Sequence, residues 1–191
     1  MLFEPYNNKK LLNLNSIKDK VFNDFENGKL HHSTMFIGSK GLGKATLCYH
    51  IANKILDSET SLKENAPVSL FGDIVAKDEL SDSNPTFSLI KNKKHIDLLV
   101  IEKEIDPKTS KVDKEIKVAS ARKILDFMTL APFVSKNKVV IIDSIDEMNI
   151  SAQNAILKVL EEPLKNTFIF LVCHNLNNVL ETIQSRCREY N

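Results

Sequence analysis

Arginine is almost missing from this chain: Arg122, Arg186 and Arg188 are the only three among 191 residues. Lysine carries the rest of the positive charge, and the formal net charge is only +1. So even a balance excludes a protein that grips nucleic acid by bulk electrostatics alone, and any DNA contact must be local or shared with other chains. It also argues against a small-molecule kinase, whose acceptor-binding lid would be rich in arginine. An arginine kept in this background supplies what lysine cannot, a permanent charge on a planar fork.

Cysteine is nearly as scarce. Cys48, Cys173 and Cys187 lie far apart and form no CxxC pair, which excludes a zinc ribbon and a disulfide framework and suits a reducing, cytoplasmic setting. No zinc and no other metal ligand set is expected. The opening MLFEPYNNKK has no apolar core of a signal peptide, and no run of about 18 apolar residues occurs, so no membrane span is expected. With 42% hydrophobic and 27% charged residues, the chain reads as one ordinary globular domain.

Hydrophobic periodicity divides the chain into alternating elements. Ser16 is expected to cap a helix carrying Ile17, Val21, Phe22 and Phe25 on one face, with Asp19 in the capping-box position and Gly28 as its left-handed stop. A short buried strand, Met35–Ile37, breaks at Gly38, and a helix runs from Lys44 to about Leu56. The polar stretch from Asp57 to Lys94 is the least legible and reads as an insertion, with short helices expected near Val68–Ala76 and Thr86–Ile90. Asp97–Ile101, Lys138–Ile142 and Thr167–Val172 read as fully buried strands, separated by helices at Val118–Leu130 and Ser151–Glu162, with Pro163 closing the second. Residues 106–117 read as an exposed loop or hairpin. Strands apolar on both faces, alternating with helices, predict a parallel sheet covered on both sides.

Two motifs carry chemistry. Gly38-Ser39-Lys40-Gly41-Leu42-Gly43-Lys44 matches the phosphate-binding loop G-x-x-x-x-G-K, and it has a strand before it and a helix after it. Glycines Gly38, Gly41 and Gly43 let successive backbone N–H groups face the phosphates, the helix contributes its positive end, and Lys44 reaches the outer phosphates. Ala45, however, stands where a Ser or Thr hydroxyl would ligate Mg²⁺, and Thr46 is one residue late, about 100° further around the helix. ATP or ADP is therefore the expected occupant, with Mg²⁺ binding compromised.

Asp143, at the end of the strand VVII, occupies the Walker B position that holds Mg²⁺ through water. The next residue, where many such ATPases place Glu, is Ser144, too weak a base, and Asp146 and Glu147 are expected to face solvent. Lys91-Asn92-Lys93-Lys94 lacks the Asp of a guanine-reading NKxD, since His95 follows.

Further segments carry a resemblance. Gly28-Lys29-Leu30-His31-His32 resembles the lead-in to the phosphate loop of the clamp-loader family of AAA+ proteins, with both histidines as linker residues. Asn154–Pro163 (NAILKVLEEP) resembles that family's "NALLKxLEEPP" helix, and Thr182–Cys187 (TIQSRC) resembles its "TIxSRC" motif. The likeness covers about residues 5–190. It implies a P-loop NTPase of AAA+ type, a three-layer α/β/α domain with a five-stranded parallel sheet. His95–Glu102 (HIDLLVIE) and Asp143–Asn149 (DSIDEMN) are similar to the delta-prime branch ("HPDLLVLE", "DAADEMN"), and the gamma/tau motor branch normally keeps the hydroxyl, the Walker B glutamate and four zinc cysteines absent here.

The resemblance implies a subunit that helps load the sliding clamp onto primer-template DNA beside gamma/tau and delta subunits. In this role Arg186 is a trans-acting arginine finger for a neighbour's ATP; the alternative is an arginine that pairs structurally near a strand end. A hydrolysing gamma/tau-type motor is the competing function. The sensor residue falls on Cys173 or His174. Arg188 is expected on a strand edge without a role, and Cys187 as a small hydrophobe. Family members continue into a lid and a helical collar, so a chain ending at Asn191 reads as an isolated first domain, monomeric or weakly associating alone.

Overall fold

The structure, a computed structural model, describes residues 4–9, 11, 13–57, 84–105, 110–162 and 164–191. Helix α1 (Asn15–Glu26) leads into strand β1 (Ser33–Ile37) and helix α2 (Lys44–Asp57). After the undescribed 58–83, where the helix expected at 68–76 falls, come α3 (Pro85–Lys91), β2 (Leu98–Glu102), α4 (Val118–Thr129) and β3 (Lys138–Asp143). The chain then forms α5 (Ile150–Glu161), β4 (Thr167–Cys173), α6 (Glu181–Gln184) and β5 (Arg188–Tyr190).

The five strands form one sheet in the order β2-β3-β4-β1-β5, every pair parallel. Alternation along each strand sends side chains to opposite faces. In β3, Val140 and Ile142 join a core with Ala121, Ile124 and Met128 of α4 and Ala152, Ile156 and Leu160 of α5. Val139 and Ile141 instead meet Val21 of α1, Leu47, Ile51 and Ile55 of α2, and Ile90 of α3. The three-layer α/β/α domain expected from the alternation is what forms.

Several local readings need correction. Ser16 does not cap α1; Leu14 holds the cap position and no side chain bonds there, so Asp19 completes no capping box. Gly28 does stop the helix in the left-handed region (φ 66°), with Lys29 N–H donating to Asp24 O at 2.7 Å. Strand β2 is not fully buried, because it lies at the sheet edge and Leu98, Leu99 and Val100 keep partial exposure. An antiparallel bridge, Ile105 to Val112, gives the expected hairpin its ends, and 106–109 and Pro163 lie outside the described residues.

Two buried charges organise the end of the sheet where β2 and β3 begin. The Asp97 carboxylate, in a residue 1% exposed, accepts N–H bonds from Phe133 (2.7 Å), Val134 (2.8 Å) and Ser135 (2.8 Å). Lys138, the first residue of β3, points its ammonium into the α4 C-terminus, donating to Phe127 O and to Leu130 O at 2.7 Å. Cations at a helix C-terminus meet its negative dipole end.

Burial also lowers the pKa of His50 and of His95, desolvation being the leading cause for each. Both therefore stay neutral in the fold at pH values where the unfolded chain binds protons. Stability should be flat above about pH 7 and decline as pH falls through the unfolded histidine value near 6.5, at up to about 1.4 kcal/mol per pH unit per histidine. Urea titrations at pH 7.5, 6.5 and 5.5 measure this. His50→Gln and His95→Gln should each flatten the decline, and an unchanged slope in both would remove burial of neutral imidazoles as its origin.

Candidate functional site

The phosphate-binding loop leaves β1 at Ile37 and is anchored at once, Gly38 N–H donating to Cys173 O at the end of β4 (3.2 Å). Gly41 (φ 89°) and Gly43 (φ 85°) hold positive φ, which an L side chain would adopt only with strain. Helix α2 then starts at Lys44, so its N-terminal N–H groups open onto the loop. The Lys44 side chain is folded inward, its ammonium donating to Gly38 O (2.6 Å) and Ser39 O (2.8 Å) with 5% of the residue exposed. Burial lowers its pKa, while Asp143 and Asp146 pull the other way.

The loop forms one wall of a cleft of about 590 Å³ at the C-terminal end of the sheet. Lys40, Gly41, Gly43, Lys44, Ala45 and Thr46 line it from the loop and α2, and Asp143, Val172 and His174 line it from the ends of β3 and β4. Of the residues expected to hold nucleotide, Gly41, Gly43, Lys44, Ala45, Thr46 and Asp143 all reach this cleft, and Gly38 contributes from below through its carbonyl. Pro5 and Asn8 also line it, and nothing in the motif spacing pointed to them. They arrive because Tyr6 packs edge-on against Tyr49 of α2 (5.8 Å) and His50 donates to Asn8 O (2.7 Å).

The acidic side of the cleft is carried by Asp143. Asp143 ends β3 in register with Val172, and its burial raises its pKa, with the nearby His174 opposing. Ala45 offers no oxygen, and Ser144 is buried. The expectation that Asp146 faces solvent is overturned. Its two carboxylate oxygens accept the N–H groups of His174 (2.9 Å) and Asn175 (3.1 Å), so it is spent on holding the end of β4. Glu147 is likewise half-buried and paired with Lys103 at 3.0 Å.

The two sensor candidates separate cleanly. Cys173 is fully buried in the core shared with α4 and α5, whereas the His174 side chain lines the cleft. Burial pushes the Cys187 thiol up to about 12, consistent with a packed hydrophobe. Among the described residues no group of three His, Cys, Asp or Glu side chains is placed to hold a metal ion.

Arg186 lies elsewhere. It follows α6 and precedes β5, whose Arg188 pairs with Thr34 near the start of β1. The loop leaves the other end of β1, five residues along, which at about 3.3 Å per residue separates the two ends by roughly 15 Å. Arg186 forms an ion pair with Glu161 and donates to Thr182 O at 2.7 Å, in a shallow depression that it shares with His31, His32 and Leu160. Its own cleft is out of its reach. Arg188 sits on the edge strand, 3.6 Å from Asp24.

Comparison with known proteins agrees with this geometry. A family model described as "DNA polymerase III, delta subunit" matches residues 14–191. DNA polymerase III subunit delta' of Pseudomonas aeruginosa is 30% identical over 156 residues, 82% of this chain and 41% of that protein. DNA polymerase III subunit gamma of Buchnera aphidicola subsp. Schizaphis graminum is 27% identical over 188 residues, 98% of this chain and 45% of that protein. The chain thus spans less than half the length of the curated relatives it matches. A crystal structure of a gamma subunit-related protein from Thermotoga maritima superposes with a TM-score of 0.57 at 20% identity, covering 93% of this chain and 44% of that one, which establishes a shared fold. From phosphate loop to TIQSRC, the chain belongs to the DNA polymerase III delta-subunit family, the delta-prime and gamma type of clamp-loader domain.

Proposed function

We propose that this chain acts as a delta-prime-type subunit of the bacterial clamp loader, assembling with gamma/tau and delta subunits to place the sliding clamp on primer-template DNA. Its own cleft holds ATP or ADP without hydrolysing it, and Arg186 acts on the ATP of a neighbouring motor subunit. The observation that carries this reading is the position of Arg186, at the opposite end of the sheet from the chain's own phosphate loop. A guanidinium so placed meets phosphate only when another subunit brings it.

The cleft supports the same division of labour. Its loop has the glycines and the lysine that cradle phosphates. It lacks the hydroxyl at Ala45 and a carboxylate at Ser144, and the next acid along the chain, Asp146, is committed to backbone N–H groups. Without a group to orient water, bound triphosphate persists. Relatives named delta', gamma and tau all match this chain, which supports a place in that assembly.

Steady-state ATPase assays test the proposal. The purified protein alone should give no turnover above background, and adding it to gamma/tau and delta subunits with DNA should raise theirs. Brisk turnover by the protein alone would identify a gamma/tau-type motor instead.

A further inference from the structure

The fold family implies Mg²⁺ beside the nucleotide, but the residues present do not suit the ion. Mg²⁺ in such sites is held by a hydroxyl after the loop lysine and by the Walker B carboxylate. Here the first is Ala45, which has no oxygen to give. The second, Asp143, is left without help, since Ser144 adds no carboxylate and Asp146 accepts the backbone N–H groups of His174 and Asn175. What the cleft has in addition is an imidazole. His174 lines the same cleft as Lys44 and Asp143.

The backbone that carries this imidazole is fixed. Asp146 grips the backbone on both sides of its peptide, accepting from His174 N–H (2.9 Å) and Asn175 N–H (3.1 Å). Strand β4 fixes the preceding residue through the Gly38 N–H to Cys173 O bond. The ring carries a buried Nδ1 with no hydrogen-bond partner among the described residues. Buried polar atoms are nearly always paired in native structures, and the exceptions concentrate where a ligand or catalytic role completes them.

We infer that the cleft binds a nucleoside di- or triphosphate without Mg²⁺, the His174 imidazole and the Lys44 ammonium meeting the terminal phosphate oxygens where the ion would otherwise stand. This rests on the proposed reading of the cleft as a nucleotide site, and adds to it the form of the ligand and a residue that recognises it. Lys44 gives up its bonds to Gly38 O and Ser39 O for phosphate oxygens. His174 donates one ring N–H across the cleft. Asp143 lines the same cleft, its carboxyl inside the nucleotide site with no ion to hold.

Isothermal titration of the purified protein with ADP, once in EDTA and once in excess MgCl₂, tests this. The two dissociation constants should agree within about threefold, and His174→Ala should weaken binding in EDTA by about ten- to a hundredfold, the usual worth of a hydrogen bond to a charged group. His174→Gln, which keeps an N–H donor, should recover part of the loss. Tightening by Mg²⁺ of tenfold or more, or a His174→Ala protein that binds as tightly as the native one, overturns the inference while leaving the cleft a nucleotide site. No ADP binding by the native protein in either buffer overturns the reading of the cleft as well. Should His174→Ala fail to fold, the imidazole NMR signal of His174 in the native protein decides: movement on adding ADP in EDTA supports the role, and a stationary signal removes it.

Discussion

Replacing Arg186 with alanine should slow ATP turnover by the assembled complex about 10³-fold, at the lower end of what trans-acting arginines contribute in phosphoryl transfer. The magnitude follows from the chemistry at stake. Charge spreads over three equatorial oxygens of the transferring phosphoryl group, and a planar guanidinium can meet two of them at once. Arg186→Lys should recover little, because an ammonium is a single strongly hydrated point charge. The free protein already holds the arginine in a defined direction, through Glu161 of α5 and Thr182 O. Assembly should survive the substitution, as gel filtration would show, so the loss falls on kcat and not on subunit binding. A mutant complex that keeps a rate within about twofold of native would return Arg186 to a structural ion pair with Glu161.

The second large effect concerns stability. Asp97→Ala should cost about 3–5 kcal/mol, because it leaves three backbone N–H groups around a buried site with no acceptor. Those donors belong to Phe133, Val134 and Ser135, and the turn they form ties back to α2 through Ser135 Oγ–H to Leu56 O (3.0 Å). Asp97→Asn, with one oxygen remaining, should lose less. Urea denaturation measures both, the midpoint shifting with little change in slope if the native fold is otherwise kept. A loss under about 1 kcal/mol for alanine would mean that water replaces the carboxylate, and that the turn is not held by it.

The layers of the domain were legible because they depend on periodicity. KVVII and TFIFLV are apolar on both faces, as a strand inside a covered parallel sheet must be, and α4 and α5 show a single apolar stripe. The edge position of β2 was not legible. DLLVI is as apolar as its neighbours, and only the strand order reveals that its outer flank has no partner strand among the described residues. Local capping also misled: Ser16 has the right chemistry for a cap, but the cap falls two residues earlier, at Leu14, and leaves that hydroxyl inside the first turn.

For the site, a contiguous motif was readable and a convergent one was not. Gly38 to Lys44 announces itself in seven residues of sequence, and Asp143 is announced by the strand before it. Asp146 looked like a solvated acid because its two partners, His174 and Asn175, are 28 and 29 residues away and donate backbone N–H groups, which have no signature in side-chain chemistry. The separation of Cys173 from His174 needed the strand's exact end, one residue beyond what apolar patterning gives. Pro5 and Asn8 reach the cleft only through Tyr6 on Tyr49, an aromatic contact 43 residues apart that no spacing rule predicts.

The sheet order has a bearing on how the protein is made. Strand β1, which carries the phosphate loop, lies between β4 and β5, with Ser33 opposite Ile169 and Thr34 opposite Arg188. Both flanks of β1 therefore wait for segments far downstream to leave the ribosome. Until then Met35 and Phe36 sit on an unpaired edge, an apolar hazard of the kind that recruits chaperones or other nascent chains. The cradle for phosphate is encoded well before the strands that flank it, so a polypeptide released before Cys173 would carry the motif without the bond that anchors its loop.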